Sequence, residues 1–551
     1  MKVFNSRYLG FRGTKLNIMI SIIAGMDFLL FGYDQGVMGG LLTLPAFTSV
    51  FPEIDTSANG VAGLTPSQAN HKSTIQGISV ASYNVGCFVG AIICIWVGDF
   101  LGRRRTIVLG SAIMVIGATL QASAFSLAQL IVGRVITGLG NGLNTSTVPT
   151  WQSECSKSHR RGQLVMIEGA LVSGGICISY WIDFGCSFID NQASWRLPIA
   201  LQIIFAVIIL VFILELPESP RWLVLKGQEG EAVNVLAALS DESTESQSVS
   251  IELAAIKETV LEQQKTSFRD LFTMDEDRHF HRVALAYIIQ MFQQISGINL
   301  ITYYAATIYE NEIGLTPFIS RILSACNGTE YFLASLIPIF IIERVGRRKL
   351  LLISAAGMCG SMVVLAIMNK IGGTSCGIVA ATFLFCFNTA FAIGFLGGCW
   401  LVPAELVPLR IRAPSNALST SANWAFNFMV VMITPVSFSS IGYQTYIIFA
   451  VINAFMVPVI YFFFPETAYR SLEEMDMIFR KTKSIFSVVS IAKDEPRRYG
   501  KNGEFLIAYD ETEEHHQRLS TAERRASASS GTRSSHYDSE KGAHRERERS
   551  F

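Results

Sequence analysis

The chain has 551 residues, of which 50% are hydrophobic and only 16% are charged, and its formal net charge at pH 7 is zero. Its mean hydropathy of +0.38 is high for a soluble protein, since soluble chains of this length divide into domains with more charged surface. The composition excludes an ordinary soluble globular protein and gives no indication of a nucleic-acid partner.

Apolar blocks of roughly 20 residues, the length that a helix needs to cross a bilayer, recur along the chain. The sequence therefore predicts an all-α membrane protein with twelve transmembrane helices in two six-helix halves. The third and fourth blocks nearly merge, so the count also depends on the internal repeat described below. The predicted spans cover residues 17–41, 73–97, 106–125, 127–149, 162–185, 197–216, 283–309, 318–342, 350–369, 377–403, 413–438 and 443–464.

The spans separate the two membrane halves from three polar segments. We expect short amphipathic helices in the linker, around 229–239 and 251–264, and one helix at 471–481 after the last span. Beyond about residue 493 the Ser-, Arg-, Glu- and His-rich composition predicts disorder. The predicted boundaries are 1–16 for the N-terminal tail, 17–216 for the first half, 217–282 for the linker, 283–464 for the second half and 465–551 for the C-terminal tail.

Lys and Arg residues are distributed unevenly between the two sides of the predicted bundle. One side carries clusters such as Arg103–Arg105 and Arg347–Lys349, whereas the other side has scattered residues such as Arg196 and Arg321. Positive residues favour the cytosolic side of a membrane. We therefore expect a multi-pass plasma-membrane protein with both termini in the cytosol.

Three short motifs occur twice, with the copies roughly 250 residues apart, which is typical of a duplicated helical bundle such as a transporter. Each copy follows a predicted span. The pairs are Asp99-x-x-Gly102-Arg103-Arg104 with Glu343-x-x-Gly346-Arg347-Arg348, Glu154 and Arg161 with Glu405 and Arg412, and Pro217-Glu218 with Pro465-Glu466.

These repeated acids and bases are predicted to act mechanically at the cytosolic ends of the helices. Carboxylates and guanidinium groups form strong, geometrically specific hydrogen bonds. Such pairs would hold the cytosolic side closed while the outside is open and would break when the protein opens inward. We refer to the repeated acidic and basic residues as the gate residues.

Charged side chains within the spans are costly in hydrocarbon and are therefore functional candidates. Asp34 lies in the first span, Arg134 in the fourth and Glu168 in the fifth, while Asp183 near the outer end of the fifth is expected to meet water. In one interpretation, approach and withdrawal of Arg134 make Asp34 release and bind a proton. In the other, the two residues form a static pair that only joins two helices.

The seventh span carries a polar stripe in an otherwise apolar helix: Gln293, Gln294, Asn299, Tyr303 and Tyr304. Amides and hydroxyls hydrogen-bond many hydroxyl groups without adding charge, as a neutral polyhydroxylated solute requires. Aromatic rings such as Trp400 and Trp424 can stack on the C–H face of a sugar. Alternatively, the amides only join helices to one another.

Taken in order, these motifs resemble the sugar porter family of the major facilitator superfamily over about residues 20–480. Segments 142–149, 151–154 and 180–185 are similar to its fungal members, which include glycerol/proton symporters and carriers of hexoses, pentoses or polyols. The matching motifs are Gly32-Tyr33-Asp34, Gly98-Asp99 with Gly102 to Arg105, Gly133-Arg134, Glu154 with Arg160-Arg161-Gly162, Pro217 to Arg221, Gln293 to Tyr304, Pro403-Ala404-Glu405 and Pro465-Glu466-Thr467.

The resemblance implies two six-helix halves, a central site and alternating access. It assigns proton coupling to Asp34 with Arg134. Two positions depart from the family pattern: Glu168-Gly169 stands where many members have a sugar-binding Gln, and Asn423 stands where bacterial members have Gln. The substrate-binding candidates are Phe31, Glu168, Gln293, Gln294, Asn299, Tyr303, Trp400, Asn423 and Trp424.

The leading hypothesis is an importer of a monosaccharide or polyol that moves a proton with its solute. The alternatives are an uncoupled facilitator and a sugar receptor that has kept the transporter fold. The sequence shows no nucleotide loop, metal cluster or nucleophile motif, so an enzyme is not expected. The expected partners are the bilayer and a small neutral solute, with no obligate protein partner and no cofactor other than the proton.

Overall fold

The computed structural model describes residues 7–57, 59–156, 161–264, 268–470 and 472–496. Within these ranges the secondary structure is helical, with no strand. The predicted tail beyond residue 496 lies outside the described residues. The long helices are α1 (Gly13–Leu41), α2 (Pro66–Leu101), α3 (Arg103–Ala122), α4 (Leu127–Cys155), α5 (Arg161–Cys186), α6 (Ala193–Ile213), α7a (His279–Ile295), α7b (Ile298–Thr307), α8 (Pro317–Val345), α9 (Arg347–Ile371), α10a (Thr374–Phe391), α10b (Gly398–Leu406), α11 (Arg412–Ile441) and α12 (Gln444–Phe463).

Each predicted span falls on one of these helices or on a broken pair of them, which confirms the all-α class. Length and composition alone qualify 11 helices of the described chain as candidate membrane spans. Helix α4 is missing from that set although it has 29 residues. Its buried face carries Asn141, Asn144 and Thr145 and packs against α2 and α3, so its polar residues face protein rather than lipid.

The helices of the two halves pack in the same pairwise pattern. In the first half α1 packs on α5, α3 on α4 and α3 on α6. In the second half the corresponding pairs are α7a on α11, α9 on α10a and α9 on α12. The repeated packing matches the repeated motifs in the sequence. The halves meet along α2 and α11, along α5 and α8, and where α1 touches α7b.

The seventh and tenth membrane helices are both interrupted. Gly297 has φ of 102° and separates α7a from α7b; this left-handed conformation is readily adopted only by glycine. In the tenth helix a π-helical turn, Ala392–Leu396, lies between α10a and α10b. Such turns leave backbone carbonyls free for other partners and are frequent at functional sites.

Short helices cover one end of the bundle, the end at which α1 begins and α12 finishes, which we call the terminal end. The linker forms Pro220–Leu225, Glu229–Ser240 and Gln247–Gln264, and the chain after α12 forms Leu472–Lys481 and Val488–Asp494. The three helices predicted from sequence are therefore present. The opposite end, which we call the far end, carries the loop between α1 and α2 with the short helix Pro45–Val50.

Candidate functional site

A set of hydrogen-bonded amides, which we call the amide cluster, occupies the break between α7a and α7b. Asn423 on α11 donates to the side-chain oxygens of Gln290 at 2.6 Å and Gln293 at 2.7 Å, and accepts from Gln294 at 2.9 Å. Asn299, beyond the break, donates to Gln294 at 2.5 Å. Side chains from both helix segments thus join Asn423 of α11 in one hydrogen-bonded set.

The π-helical turn of the tenth helix provides further acceptors for these amides. Gln293 Nε2 donates to the carbonyl oxygens of Phe395 and Leu396, both at 3.0 Å, and Gln290 Nε2 donates to that of Cys399 at 3.0 Å. In a regular helix those carbonyls would accept from their own helix. The irregular turn therefore anchors the amide cluster between α7a, α10b and α11.

Aromatic side chains from both halves adjoin the amide cluster. Trp424, next to Asn423, is completely buried, and its ring meets Phe31 of α1 at 5.3 Å and Tyr83 of α2 at 6.4 Å, both edge to face. Such pairs are favourable aromatic geometries. The indole Nε1–H of Trp424 has no hydrogen-bond partner within the described structure.

A second amide pair joins the halves beside Trp424. Asn84 of α2 donates to the side-chain oxygen of Asn427 on α11 at 3.1 Å and accepts from the Tyr303 hydroxyl at 3.5 Å. The amide Nδ2 of Asn427 is buried and, among the described residues, has no acceptor. The site therefore contains two unpartnered donors, and its hydrogen-bonding side chains are uncharged.

The structure brings most of the predicted substrate-binding residues together. Gln293, Gln294, Asn299 and Asn423 are in the amide cluster, while Phe31, Tyr303 and Trp424 border it. Trp400 on α10b is half-buried, and no hydrogen bond or ring contact in the described chain joins it to the cluster. The binding roles of all the predicted substrate-binding residues stay predictions. The helical spacing in the sequence offered a signal for three amides that our sequence reasoning missed: Asn84, Gln290 and Asn427.

Asp34 and Arg134 are both buried but are not an ion pair in this conformation. Asp34 Oδ2 accepts a hydrogen bond from the Tyr83 hydroxyl at 3.4 Å, and its Oδ1 has no partner in the described part of the chain. The Arg134 guanidinium lies 5.5 Å from the Tyr83 ring and donates to the Val80 carbonyl at 2.9 Å. Tyr83 therefore contacts both charged groups.

Close packing of α1 on α5 positions Asp34. A Cβ on Gly32 would lie 1.9 Å from the Val172 carbonyl oxygen, and one on Gly36 would lie 2.1 Å from Ser179 Oγ. The glycines thus allow the close approach of the two helices. Helix α1 itself is continuous from Gly13 to Leu41.

Another buried carboxylate on α1, which the sequence analysis missed, lies toward the terminal end. Asp27 is 1% exposed and accepts a hydrogen bond from Asn144 at 2.8 Å. Glu168 of α5 is also buried, within electrostatic range of Asp27, and among the described residues it makes no hydrogen bond to the amide cluster. An acid within an apolar block was the available sequence signal for Asp27.

The gate residues of the first half bind one another across three helix ends. Arg103 contacts Asp99 at 3.1 Å and Glu154 at 3.2 Å, and the Ser219 hydroxyl donates to Glu154 at 2.5 Å. Glu218 accepts hydrogen bonds from the backbone N–H groups of Arg103 at 3.0 Å and Arg104 at 3.1 Å. Burial raises the pKa of Glu218 above its usual value, although these N–H groups favour the charged form.

The second half repeats this arrangement with its own residues. Arg347 contacts Glu343 at 2.6 Å and Glu405 at 2.7 Å, and Thr467 donates to Glu405 at 2.5 Å. Glu466 accepts from the backbone N–H groups of Arg347 at 2.9 Å and Arg348 at 3.2 Å.

The gate contacts described above each connect helices of the same half. In this conformation they therefore stabilise each bundle internally. Arg412 donates to the Val407 carbonyl at 3.2 Å, also within the second half. The side chain of Arg161, the remaining gate residue, lies outside the described residues.

The far end contains hydrogen bonds that connect the two halves. Arg321 of α8 donates to the carbonyl of Thr43 at 2.6 Å and to its hydroxyl at 3.3 Å. Ser439 at the end of α11 donates to Asn70 of α2 at 2.8 Å. Asp183, expected to meet water, is 3% exposed, because the side chain packs against Gly40 of α1.

Across the described residues, twelve membrane helices in two repeated halves around a buried, uncharged polar site define a membrane transporter of the major facilitator fold. The structure of the proton:xylose symporter XylE bound to 6-bromo-6-deoxy-D-glucose superposes with a TM-score of 0.71 at 23% identity, covering 85% of this chain and 100% of that chain. That likeness concerns the fold.

Sequence comparison gives the family. The model of the family described as "Sugar (and other) transporter" matches residues 19–479. The sugar transporter STL1 of Saccharomyces cerevisiae is 39% identical over 489 residues, covering 87% of this chain and 84% of that protein. The MFS-type transporter oryC of Aspergillus oryzae is 36% identical over 504 residues, covering 89% of this chain and 91% of that protein. The chain belongs to the sugar porter family of the major facilitator superfamily.

Proposed function

We propose that this sugar porter imports a neutral monosaccharide or polyol together with a proton across the plasma membrane. The terminal end would face the cytosol and the far end would face outward, in keeping with the distribution of positive residues. The solute would bind in the amide cluster and leave unchanged, since transport requires no chemical conversion and no cofactor.

One observation supports the nature of the solute most directly: two buried donors, Trp424 Nε1 and Asn427 Nδ2, have no acceptor among the described residues. A buried polar group without a partner costs about 1–3 kcal/mol. A solute hydroxyl oxygen placed beside Trp424 would accept these hydrogen bonds and remove that cost. Because the amide cluster is uncharged, a neutral polyhydroxylated solute fits it better than an ion.

The site also suits alternating access because both halves contribute to it. Phe31 and Asn84 come from the first half, and Asn427, Tyr303 and Trp424 from the second. Rocking of one half against the other would separate these groups and open the site to one side. The far-end contacts of Arg321 with Thr43 would have to break when the site opens outward.

Proton coupling is supported by the environment of Asp34. Its Oδ1 is buried and unpartnered, and Arg134 is close enough to share Tyr83 but does not form an ion pair with it in the described structure. A conformational change that brought Arg134 onto Asp34 would favour the ionised carboxylate and release the proton. STL1, a sugar transporter, supports a sugar as the solute, and XylE, which shares the fold, is a proton:xylose symporter.

The test is uptake of labelled solutes by a yeast strain that lacks its own hexose carriers. The panel comprises hexoses, pentoses, disaccharides and glycerol, at several pH values, with and without a protonophore. We expect accumulation of a monosaccharide or polyol above its external concentration and its loss with the protonophore. Uptake that ignores pH and protonophore would identify a facilitator. Sugar-dependent transcription without uptake would identify a receptor.

A further inference from the structure

Asp27 and Glu168, which we call the carboxylate pair, lie between Asp34 and the terminal end. Asp27 is seven residues before Asp34 on α1, two turns along the same helix face, which is about 10 Å. Glu168 lies on α5, which packs on α1, and it is within electrostatic range of Asp27. Neither residue is needed for the contacts that form the amide cluster.

Acceptor atoms around the carboxylate pair outnumber donors. Asn144 uses its amide hydrogens on Asp27 Oδ1 at 2.8 Å and on the Ser111 hydroxyl at 3.0 Å. Asp27 Oδ2 and Asn144 Oδ1 are both buried and, within the described chain, have no donor. Glu168 is 6% exposed and makes no hydrogen bond with any of the described residues. An additional hydrogen on one of these oxygens would satisfy an acceptor that the protein leaves empty.

Basic groups do not compensate the carboxylate pair. Among the described residues no Lys, Arg or His nitrogen lies within 4.0 Å of Asp27 or Glu168, whereas Arg103 and Arg347 each contact two acids. Two buried carboxylates within electrostatic range of one another are unfavourable when both are ionised, and binding of one proton would relieve that repulsion.

The charged and titratable groups around the carboxylate pair are few. On α1 itself the next charged residue is Asp34, and Tyr83 of α2 and Arg134 of α4 lie beside it. Helix α7b has no charged residue, and the charged residue of α6, Arg196, donates to carbonyls at Ala122 and Ala124 near the far end. The linker helix Glu229–Ser240 contacts α1 near its start, where Asn17 donates to the Leu239 carbonyl.

We propose that the carboxylate pair is a second proton-binding site of this transporter, with Asn144 as its positioning residue, and that its protonation is linked to that of Asp34 through α1. The step is a protonation: one O–H bond forms on a carboxylate oxygen, the proton comes from and returns to water, and no electrons are transferred. The role in coupling rests on the proposed proton symport, whereas the presence of the bound proton does not.

The first experiment detects the proton directly. Infrared difference spectra of the purified full-length protein, titrated with pH, report protonated carboxyl groups. We expect a protonated carboxyl band in the wild type that disappears in Asp27→Asn and in Glu168→Gln. The matched control is Glu330→Gln, a half-buried acid of α8 bonded to the Thr389 hydroxyl, which should keep the band. Persistence of the same band in Asp27→Asn and in Glu168→Gln would overturn the proposal.

The second experiment measures coupling in proteoliposomes, where sugar counterflow reports binding and exchange, and accumulation driven by a pH gradient reports proton use. For Asp27→Asn we expect the ratio of accumulation to counterflow to fall about tenfold. A tenfold change corresponds to losing an interaction between the two proton-binding sites that is equivalent to one pKa unit. An unchanged ratio and pH profile would show that the pair does not contribute to coupling. Accumulation that is driven by a sodium gradient, and that is lost when choline replaces sodium, would identify a sodium site instead and overturn the proposal.

The two proposals fail in different ways. If the wild type shows no sugar counterflow, the transport proposal fails, whereas the infrared band still reports the proton on the pair. If counterflow and pH-driven accumulation are present but the variants keep the wild-type band and ratio, the transport proposal holds and the second proton site is excluded.

Discussion

The hydroxyl of Tyr83 donates a hydrogen bond to Asp34 at 3.4 Å, while the ring of the same tyrosine lies 5.5 Å from the guanidinium of Arg134. A single aromatic side chain thus contacts both members of the predicted proton switch. The same ring meets Trp424 at 6.4 Å. This arrangement gives a physical route by which solute at Trp424 would alter the surroundings of Asp34.

Replacing Asp34 by asparagine should separate transport from coupling. The change keeps the size of the side chain and removes its titratable group, so proton binding is lost while the helix packing at Gly32 is retained. We expect loss of accumulation above the external concentration with retention of sugar counterflow, measured in proteoliposomes. The control is Glu330→Gln, which should keep both. Accumulation by Asp34→Asn at the wild-type level would contradict the coupling role.

Removing the unpartnered indole donor should weaken solute binding. Trp424→Phe keeps an aromatic ring against Phe31 but deletes the Nε1–H group. If a solute hydroxyl accepts from it, the loss is about 1 kcal/mol, which raises the apparent KM roughly fivefold with a small effect on maximal rate. Trp96→Phe, at a position that is 68% exposed on α2, should leave KM unchanged. An unaltered KM in Trp424→Phe would show that this donor does not bind the solute.

The sequence predicted the helices well because transmembrane spans are set by length and hydropathy, which are local properties. It also predicted which side chains on the seventh span are polar. It did not predict the break at Gly297, because a glycine within an apolar span is compatible with a continuous or a broken helix, and the residues that pack beside it, Met362 and Phe449, are distant in sequence. The π-helical turn Ala392–Leu396 likewise left no local pattern.

The environment of one predicted residue was wrong for the same reason, whereas the binding role of Trp400 stays a prediction. Asp183 was placed in water by its position near a helix end, whereas packing of α5 on Gly40 buries it. The gate residues were found by repetition, yet only the structure shows that the contacts described for them connect helices of the same half.

The broken helix provides a stability prediction. Gly297 has φ of 102°, and a Cβ there would lie 2.9 Å from Met362 Cε and 3.0 Å from Phe449 Cδ1. Gly297→Ala should therefore combine backbone strain with a steric clash and destabilise the protein by about 2–4 kcal/mol. Gly372→Ala is the matched control, because Gly372 has φ of 71° but nothing within 4 Å of the added Cβ.

Thermal unfolding of the two purified variants separates these effects. Gly372→Ala should lower the melting temperature only by the cost of the backbone conformation, and Gly297→Ala should lower it further and reduce sugar binding. Equal melting temperatures for the two variants would mean that the break tolerates a side chain, and that the packing around Gly297 does not determine the position of the amide cluster.

Acid should weaken one contact that attaches the helix Leu472–Lys481 to the terminal end. Arg480 Nε contacts Asp277 at 2.5 Å. Burial alone would raise the pKa of Asp277, but the hydrogen bond and charge of Arg480 outweigh it and lower the pKa below 3.8. A carboxylate with a lowered pKa in the folded protein stabilises it fully above the unfolded value, and this contribution is lost as the pH falls through the folded value.

Hydrogen exchange of that helix at several pH values tests this expectation. Both groups are partly exposed, so Asp277→Asn should increase exchange only modestly at neutral pH, by about 0.5 kcal/mol in opening free energy. The difference between wild type and variant should shrink as the pH falls through the folded pKa of Asp277 and vanish once Asp277 is protonated in both the folded and the opened state. A difference that grows in acid would contradict the assigned direction.

The contacts of Arg321 with Thr43 should keep the far end closed. The guanidinium donates to both the carbonyl and the hydroxyl of Thr43, and it joins α8 of the second half to the end of α1 in the first. Hydrogen bonds to a charged group contribute about 1.5–3 kcal/mol each. Arg321→Ala should therefore shift the population toward conformations that are open at this end.

Accessibility of an introduced cysteine measures that shift. Ser324 lies beside Arg321 in a small cavity that Gly40 and Asp183 also line. The variant Ser324→Cys therefore places a thiol at this position. Its labelling by a membrane-impermeant thiol reagent on intact cells should rise about tenfold when Arg321→Ala is added, the effect of about 1.4 kcal/mol. Arg196→Ala is the matched control, because that arginine also lies at the far end but binds carbonyls of its own half. If both arginine variants label at the wild-type rate, the bond between Arg321 and Thr43 is not what closes the far end.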